Sequence, residues 1–165
     1  LAMIEQGHPA PALDLPTDGD GRVSLTALRG KPAVVYFYPK DDTTGCTREA
    51  QDFTALAADF AALGATVIGV SRDTVKKHDR FKAKYDLAVV LASDEDGAAC
   101  EAWGVWVQKK LYGREYMGIE RATFLIDADG RVARVWRNVK VADHAAAVLE
   151  AVKACDRRAP FGSGA

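Results

Sequence analysis

Continuously apolar runs alternate along this chain with stretches whose apolar positions recur every three or four residues. That alternation predicts an α/β sandwich. Residues 33–38 (AVVYFY) are apolar throughout, as suits a central strand covered on both faces. From there Phe53, Leu56, Phe60 and Leu63 fall at helical spacing, and the helix is expected to end near Gly64. Residues 66–71 (TVIGVS) read as the next buried strand, and Asp73 or Thr74 caps a helix to about Tyr85. Residues 87–92 are a third strand, and 94–103 a short helix capped by Ser93 or Asp94. Upstream, 12–16 and 22–25 flank Asp18-Gly19-Asp20-Gly21, a hairpin signal, and 26–30 form a short helical turn. Downstream, 106–119 reads as irregular, with Gly113 and Gly118. Residues 122–126 and 131–136 then pair across Asp127-Ala128-Asp129-Gly130, the clearest hairpin in the chain. An amphipathic helix over 142–155 turns Val148, Leu149 and Val152 inward, and the polar tail 157–165 is expected to be flexible.

Composition narrows the class without naming a chemistry. A length of 165 residues suits a single domain over 1–165, with its core at about 9–155. With 48% hydrophobic and 27% charged residues the chain is ordinary for a globular protein, and its net charge of -1 gives no push toward nucleic acid or membrane. No apolar run approaches the roughly 20 residues that span a bilayer. The N-terminus lacks the basic and apolar regions of a secretion signal, so a cytoplasmic location is expected. Leu1-Ala2 ahead of Met3 reads as a remnant. Cys46, Cys100 and Cys155 are spaced for neither a disulfide scaffold nor a zinc site, which also suits the cytosol.

One stretch concentrates the chemistry: Tyr36-Phe37-Tyr38-Pro39-Lys40-Asp41-Asp42-Thr43-Thr44-Gly45-Cys46-Thr47-Arg48-Glu49. An apolar strand runs into proline and a polar turn, and a lone cysteine opens a helix. In a helix's first turn the backbone N–H groups are unpaired and the dipole favours negative charge, so a thiol there is biased toward thiolate. Thr43, three residues earlier, is placed to hydrogen-bond the sulfur, while Pro39 rigidifies the strand exit and shields the pocket. Against this stands the plain reading of Cys46 as a small buried hydrophobe.

The pattern Pro39-x-x-x-Thr43-x-x-Cys46 after a strand resembles the active-site motif of the peroxiredoxins. The longer run YFYPKDDTTGCTREAQDF is most similar to their Q-type branch, the bacterioferritin comigratory proteins, and the resemblance covers roughly 9–149. It implies a thioredoxin-like fold, here with an N-terminal hairpin extension. It also implies a thiol peroxidase that needs no cofactor or metal. Its substrates would be hydrogen peroxide and alkyl hydroperoxides, and its reductant thioredoxin, a glutaredoxin or glutathione. The assembly expected is a monomer or weak dimer. In such proteins an arginine in the context of Glu120-Arg121-Ala122-Thr123-Phe124 contacts the peroxidatic sulfur and the peroxide. A permanent cation there stabilises the thiolate and aligns the oxygens. A depressed thiol pKa alone does not supply peroxidase rates, because nucleophilicity falls with it. Thr43, the Cys46 N–H and Arg121 are the natural donors to polarise the O–O bond, and Glu49 orients Arg121 or Arg48.

The chain departs from that family in the step that closes the cycle. Many Q-type members carry a resolving cysteine five residues after the peroxidatic one, where this chain has Gln51, or on the next helix, which here has none. Cys100 then stands as a candidate resolver, its helix starting on the same edge as the active site. The alternative is an external thiol acting on Cys46 alone. Cys155 extends the apolar face of the last helix and reads as buried. His8, His78 and His144 look incidental, with His78 packed on a helical face, and Trp103, Trp106 and Trp136 read as core or pocket-rim residues. A Cys-x-x-Cys oxidoreductase is excluded by Glu49, a Cys-x5-Arg phosphatase by Asp52, and a papain-like protease by the lack of a histidine in context. The competing class is a non-catalytic binding, chaperone or redox-sensing protein on the same fold.

Overall fold

The computed structural model describes residues 4–163, and of 156–163 the backbone alone. Nine strands and five α-helices follow one another. The strands β1 (Asp14–Thr17), β2 (Gly21–Ser24), β3 (Ala33–Phe37), β4 (Thr66–Ser71), β5 (Val90–Ser93), β8 (Ala122–Ile126) and β9 (Val132–Trp136) make one mixed sheet in the order β2-β1-β5-β4-β3-β8-β9. Strands β6 (Trp106–Leu111) and β7 (Arg114–Ile119) stand apart as a two-stranded ribbon. Helices α1 (Thr44–Ala55), α2 (Ala57–Ala62), α3 (Val75–Tyr85), α4 (Ala98–Ala102) and α5 (His144–Ser163) pack around them.

Strand β3 lies at the centre, parallel to β4 and antiparallel to β8, with all five residues buried. Its side chains alternate between two cores, as the twofold period of a strand demands. Val34 and Tyr36 join Cys46, Phe53, Phe60, Phe81, Val148 and Val152 on one face. Ala33, Val35 and Phe37 join Leu13, Val23, Cys100, Trp103 and Val105 on the other. Helices α1, α2, α3 and α5 therefore cover one side of the sheet, and α4 lies on the other, where Leu13 and Val23 also pack. Each fully buried Phe or Leu contributes about 1.5–3 kcal/mol, so both layers hold β3 firmly under the residues that follow it.

Most elements lie where the sequence pattern puts them, and the departures have physical causes. The helix expected up to Gly64 breaks at Leu56 (φ -102°, ψ 10°), whose N–H turns back to the Phe53 carbonyl. The apolar spacing runs through this kink unbroken, so the pattern carried no sign of it. The segment 106–119, expected to be irregular, is the β6–β7 ribbon. Its residues are largely exposed, Leu111, Tyr112, Tyr116 and Met117 among them, so no buried alternation marks it. The register Leu111↔Arg114 leaves Tyr112 (φ 51°) and Gly113 (φ 79°) as a two-residue turn, and positive φ at both is what a type I′ turn needs. Strand β5 begins at Val90 rather than at 87, and α4 is five residues long. Helix α5 continues through most of the expected flexible tail, whose last two residues, like the Leu1-Ala2 remnant, lie outside the described residues.

Candidate active site

Strand β3 ends at Phe37, and Tyr38 is still tied to the sheet by its N–H on the Val70 carbonyl at 3.1 Å. Pro39 then leads the chain out, exposed at the strand exit. Thr43 is the N-cap of α1, in extended conformation, and its carbonyl takes the Thr47 N–H at 2.8 Å. Cys46 thus lies in the first helical turn, its side chain facing the core with 2% of the residue exposed. The sequence expectation for Thr43 needs correction. Its hydroxyl donates to the Lys40 carbonyl at 2.8 Å, not to the sulfur, and makes no capping bond to the helix. With that proton committed, the hydroxyl oxygen is left as an acceptor, and the first-turn N–H groups are not blocked by the cap.

The partner of the sulfur comes from the far side of the central strand. Arg121 sits just before β8, and its Nη2 donates to Cys46 Sγ at 3.3 Å while Nη1 donates to Glu49 Oε1 at 2.7 Å. One turn of α1 separates Cys46 from Glu49, so a single guanidinium fork spans both. Between the two paired alternatives for Glu49, the structure chooses Arg121, while Arg48 reaches out to Asp52 on the helix surface. Gly45 makes room for this approach. A Cβ there would come within 3.1 Å of Arg121 Nη2, a requirement the sequence pattern did not reveal.

Burial sets the charge states around this fork. Glu49 is 1% exposed, and desolvation pushes its carboxyl up to about 7 against the pull of Arg121. Its Oε2 has no hydrogen-bond partner. Desolvation also works against the Arg121 cation, but Glu49 and Cys46 outweigh it and raise its pKa. His144, at the start of α5, lies 2.8 Å by Nε2 from Thr123 Oγ1, and burial together with the Arg121 charge lowers its pKa to about 4. It is therefore uncharged at neutral pH, within electrostatic reach of that cation. Lys109 on β6 is a second cation in electrostatic reach of Arg121 and Cys46, its pKa held down by burial and by Arg121. No sequence signal marked Lys109, because the ribbon that carries it was not foreseen.

Comparison with known proteins agrees with this geometry. The sequence profile of the AhpC/TSA family matches residues 6–135. The chain belongs to the AhpC/TSA family of peroxiredoxins. Peroxiredoxin Bcp of Bacillus subtilis is 50% identical over 150 residues, spanning 91% of this chain and 96% of its own. Peroxiredoxin Bcp of Xanthomonas campestris is 51% identical over 148 residues, spanning 88% and 92%. Among solved structures, the Xanthomonas campestris bacterioferritin comigratory protein, studied for its alkyl peroxide reduction activity, superposes with a TM-score of 0.86 at 47% identity over 92% of this chain and 99% of its own. A peroxiredoxin Q variant from Xylella fastidiosa gives 0.88 at 39% identity over 93% and 98%. The fold is thus the thioredoxin-like peroxiredoxin fold, on the Q-type branch, and the chain is a thiol-dependent peroxidase.

The remaining sequence-marked residues of this peroxiredoxin fall away from the fork. Because β3, β4 and β5 run parallel, the helix of Cys100 does start on the same edge as that of Cys46, but Cys100 is fully buried in the second core, on the opposite face of the sheet. The connection from β5 to β8 crosses on the other side of the sheet from α1 and α3, and carries α4 with it. Burial, and then Asp94, push the Cys100 thiol far above its ordinary pKa, so it is a poor nucleophile. Cys155 is half-buried against the first core. Trp103 is fully buried, Trp106 packs under Arg72, and Trp136 under Arg134. His8 is exposed, and His78 is fully buried with both ring nitrogens engaged. No helix among the described residues is long and apolar enough to cross a membrane.

Proposed function

We propose that this peroxidase works through Cys46 and is recycled by a thiol from outside the chain. The observation that carries the reading is the Arg121 guanidinium, donating at once to Cys46 Sγ and to Glu49. A cation fixed at the sulfur stabilises the thiolate and stands where a peroxide's oxygens would be aligned. The thiolate attacks one oxygen of ROOH, the O–O bond breaks, and RO⁻ leaves and takes up a proton, so that Cys46 becomes sulfenic acid. Arg121 and the first-turn N–H groups polarise the bond, the Thr43 oxygen accepts the peroxide O–H, and Pro39 stiffens the loop that presents them. A first reductant thiol R′SH then displaces water to form a mixed disulfide, and a second releases R′SSR′ and the Cys46 thiol.

Both hydrogen peroxide and alkyl hydroperoxides are proposed as substrates, and thioredoxin, a glutaredoxin or glutathione as reductant. A cytoplasmic location and a monomeric or weakly dimeric state complete the proposal. The external thiol is preferred over Cys100 because the sheet stands between Cys46 and Cys100 and the Cys100 thiol is held protonated. One experiment addresses both halves. A stoichiometric peroxide pulse, read by intact mass and peptide mapping, should add oxygen to Cys46 while Cys100 stays alkylatable, and Cys46→Ser should stop peroxide consumption. A mapped Cys46–Cys100 disulfide refutes the external thiol, and an active Cys46→Ser protein refutes Cys46.

A further inference from the structure

The loop between Pro39 and Cys46 is held from below by a buried polar cluster that the peroxide chemistry does not use. Asp41 Oδ2 lies 2.6 Å from His78 Nδ1, and its Oδ1 accepts the Tyr38 hydroxyl. The other ring nitrogen, Nε2, lies 2.9 Å from the Ala92 carbonyl oxygen at β5. The Asp41 N–H donates to Asp73 Oδ2 at 2.8 Å, where Ser71 Oγ also donates at 2.6 Å. The next residue is gripped as well. Asp42, in the left-handed region at φ 59°, accepts Lys84 Nζ at 2.8 Å and the Tyr85 hydroxyl at 2.6 Å. Three side chains of α3 therefore hold two consecutive residues of the loop that presents Cys46.

The partners of the ring bear on its protonation state. With Asp41 ionised, its carboxylate and the backbone carbonyl are both acceptors, an arrangement in which each nitrogen of His78 donates and the ring is an imidazolium. The ligand atoms of Asp41, Asp73 and His78 lie within 4.8 Å of one another, a spacing that would suit a divalent ion. The arrangement does not fit one, because Nδ1 and Asp41 Oδ2 contact each other directly at 2.6 Å and Asp73 Oδ2 already accepts from the Asp41 N–H and the Ser71 hydroxyl. The charges facing the ring are Asp41 from the loop and Asp73 from the β4–α3 turn. Lys40, Lys77, Arg80 and Lys84 line the pocket outside the cluster. Burial works against the charged ring, but the Asp41 hydrogen bond and charge, the Ala92 carbonyl and Asp73 together raise its pKa.

We propose that His78, as an imidazolium bridging Asp41 and the Ala92 carbonyl, is a positioning residue for Cys46. It ties the loop before α1 to α3 and β5, and so holds the first turn of α1 in the arrangement that meets peroxide. The pair is the only buried ion pair among the described residues that involves a histidine. A histidine with a raised folded pKa stabilises the fold fully below its unfolded value of about 6.5, and that contribution is lost as pH rises through the folded value. The same loss of charge should loosen the loop, giving the peroxide rate an alkaline limb.

The inference rests on Cys46 being the peroxidatic residue, and the tests separate the two. Imidazole nitrogen NMR on the unaltered chain reads His78 directly, whatever Cys46 does, and should find both nitrogens protonated near neutral pH. A neutral ring there overturns the proposal. The second measurement is the pH profile of the second-order rate with hydrogen peroxide. His78→Asn can neither carry the charge nor span both acceptors, so its rate near neutral pH should fall to about the wild type's alkaline level and show no alkaline limb. His78→Phe removes both bonds and should slow the reaction at every pH by about tenfold to a hundredfold, the scale of a misplaced reacting group. Should the Phe variant not fold, the Asn profile and the NMR result decide alone. An alkaline limb unchanged in His78→Asn, or a wild-type rate in a folded His78→Phe, overturns the positioning role.

Discussion

Replacing Arg121 with Ala tests the fork most directly, and its size follows from the geometry. At 3.3 Å a full unit-charge pair is worth about 5 kcal/mol at an effective dielectric of about 20. The guanidinium spreads its charge over three nitrogens and shares it with Glu49, so less than the whole acts on the sulfur. That leaves about 2–4 kcal/mol of transition-state stabilisation, the usual worth of one preorganised donor. The corresponding fall in second-order rate is about 30- to 900-fold. Stopped-flow oxidation by hydrogen peroxide, followed through tryptophan fluorescence, gives the number. Arg121→Ala also strands a buried carboxylate, which then takes up a proton, so Arg121→Ala with Glu49→Gln should fold at least as well as the single variant and be as slow. A loss below about tenfold in the single variant, or recovery in the double, removes Arg121 from the reacting centre.

Gly45→Ala should imitate part of that loss, since the new Cβ meets Nη2 at 3.1 Å, and a rate equal to wild type by the same assay would show that the guanidinium shifts freely. Glu49 and His144 should give opposite slopes of stability with pH. Between its ordinary 4.5 and about 7 the folded Glu49 binds more protons than the unfolded, so stability rises as pH falls, whereas between its ordinary 6.5 and about 4 the folded His144 binds fewer, so stability falls. Urea melts across that range should therefore show a steeper acid loss in Glu49→Gln and a shallower one in His144→Asn, and parallel curves would refute both assignments. Tyr36→Phe removes a buried hydroxyl that has no partner and should change stability by less than about 1 kcal/mol, or raise it. A larger loss in a urea melt would reveal a bond that the hydroxyl makes.

The sequence carried the centre of the sheet because β3, β4 and β8 are buried on both faces and so read as unbroken apolar runs, and it carried the edges through their turn residues. It carried Cys46 and Arg121 because a lone cysteine at a strand-to-helix turn and an arginine opening a central strand are conspicuous against an ordinary composition. What it could not carry was three-dimensional adjacency. Glu49 looked equally able to serve Arg48 or Arg121, and only the crossing of β8 beside β3 decides. His78 looked like a packing residue and His144 incidental, because helical periodicity reports which face is buried, not what waits there. The β6–β7 ribbon left no periodic trace, since only its Trp106–Ile119 end joins a core, and Lys109 was lost with it. Thr43 was rightly placed beside Cys46 along the chain, yet its hydroxyl had a nearer acceptor in the Lys40 carbonyl. Cys100 was placed on the right edge but its face was not legible, because the direction of a crossover, not the spacing of residues, chooses the face of the sheet.

That choice of face has a practical use. Tyr36 points toward Cys46 and Phe37 toward Cys100, so the central strand insulates one thiol from the other. A pulse of oxidant that converts the first leaves the second as an unspent internal standard. After quenching and unfolding, the ratio of alkylated Cys46 to alkylated Cys100 on the same polypeptide would give a normalised reading of oxidant against reductant. It would not depend on how much of the protein was present.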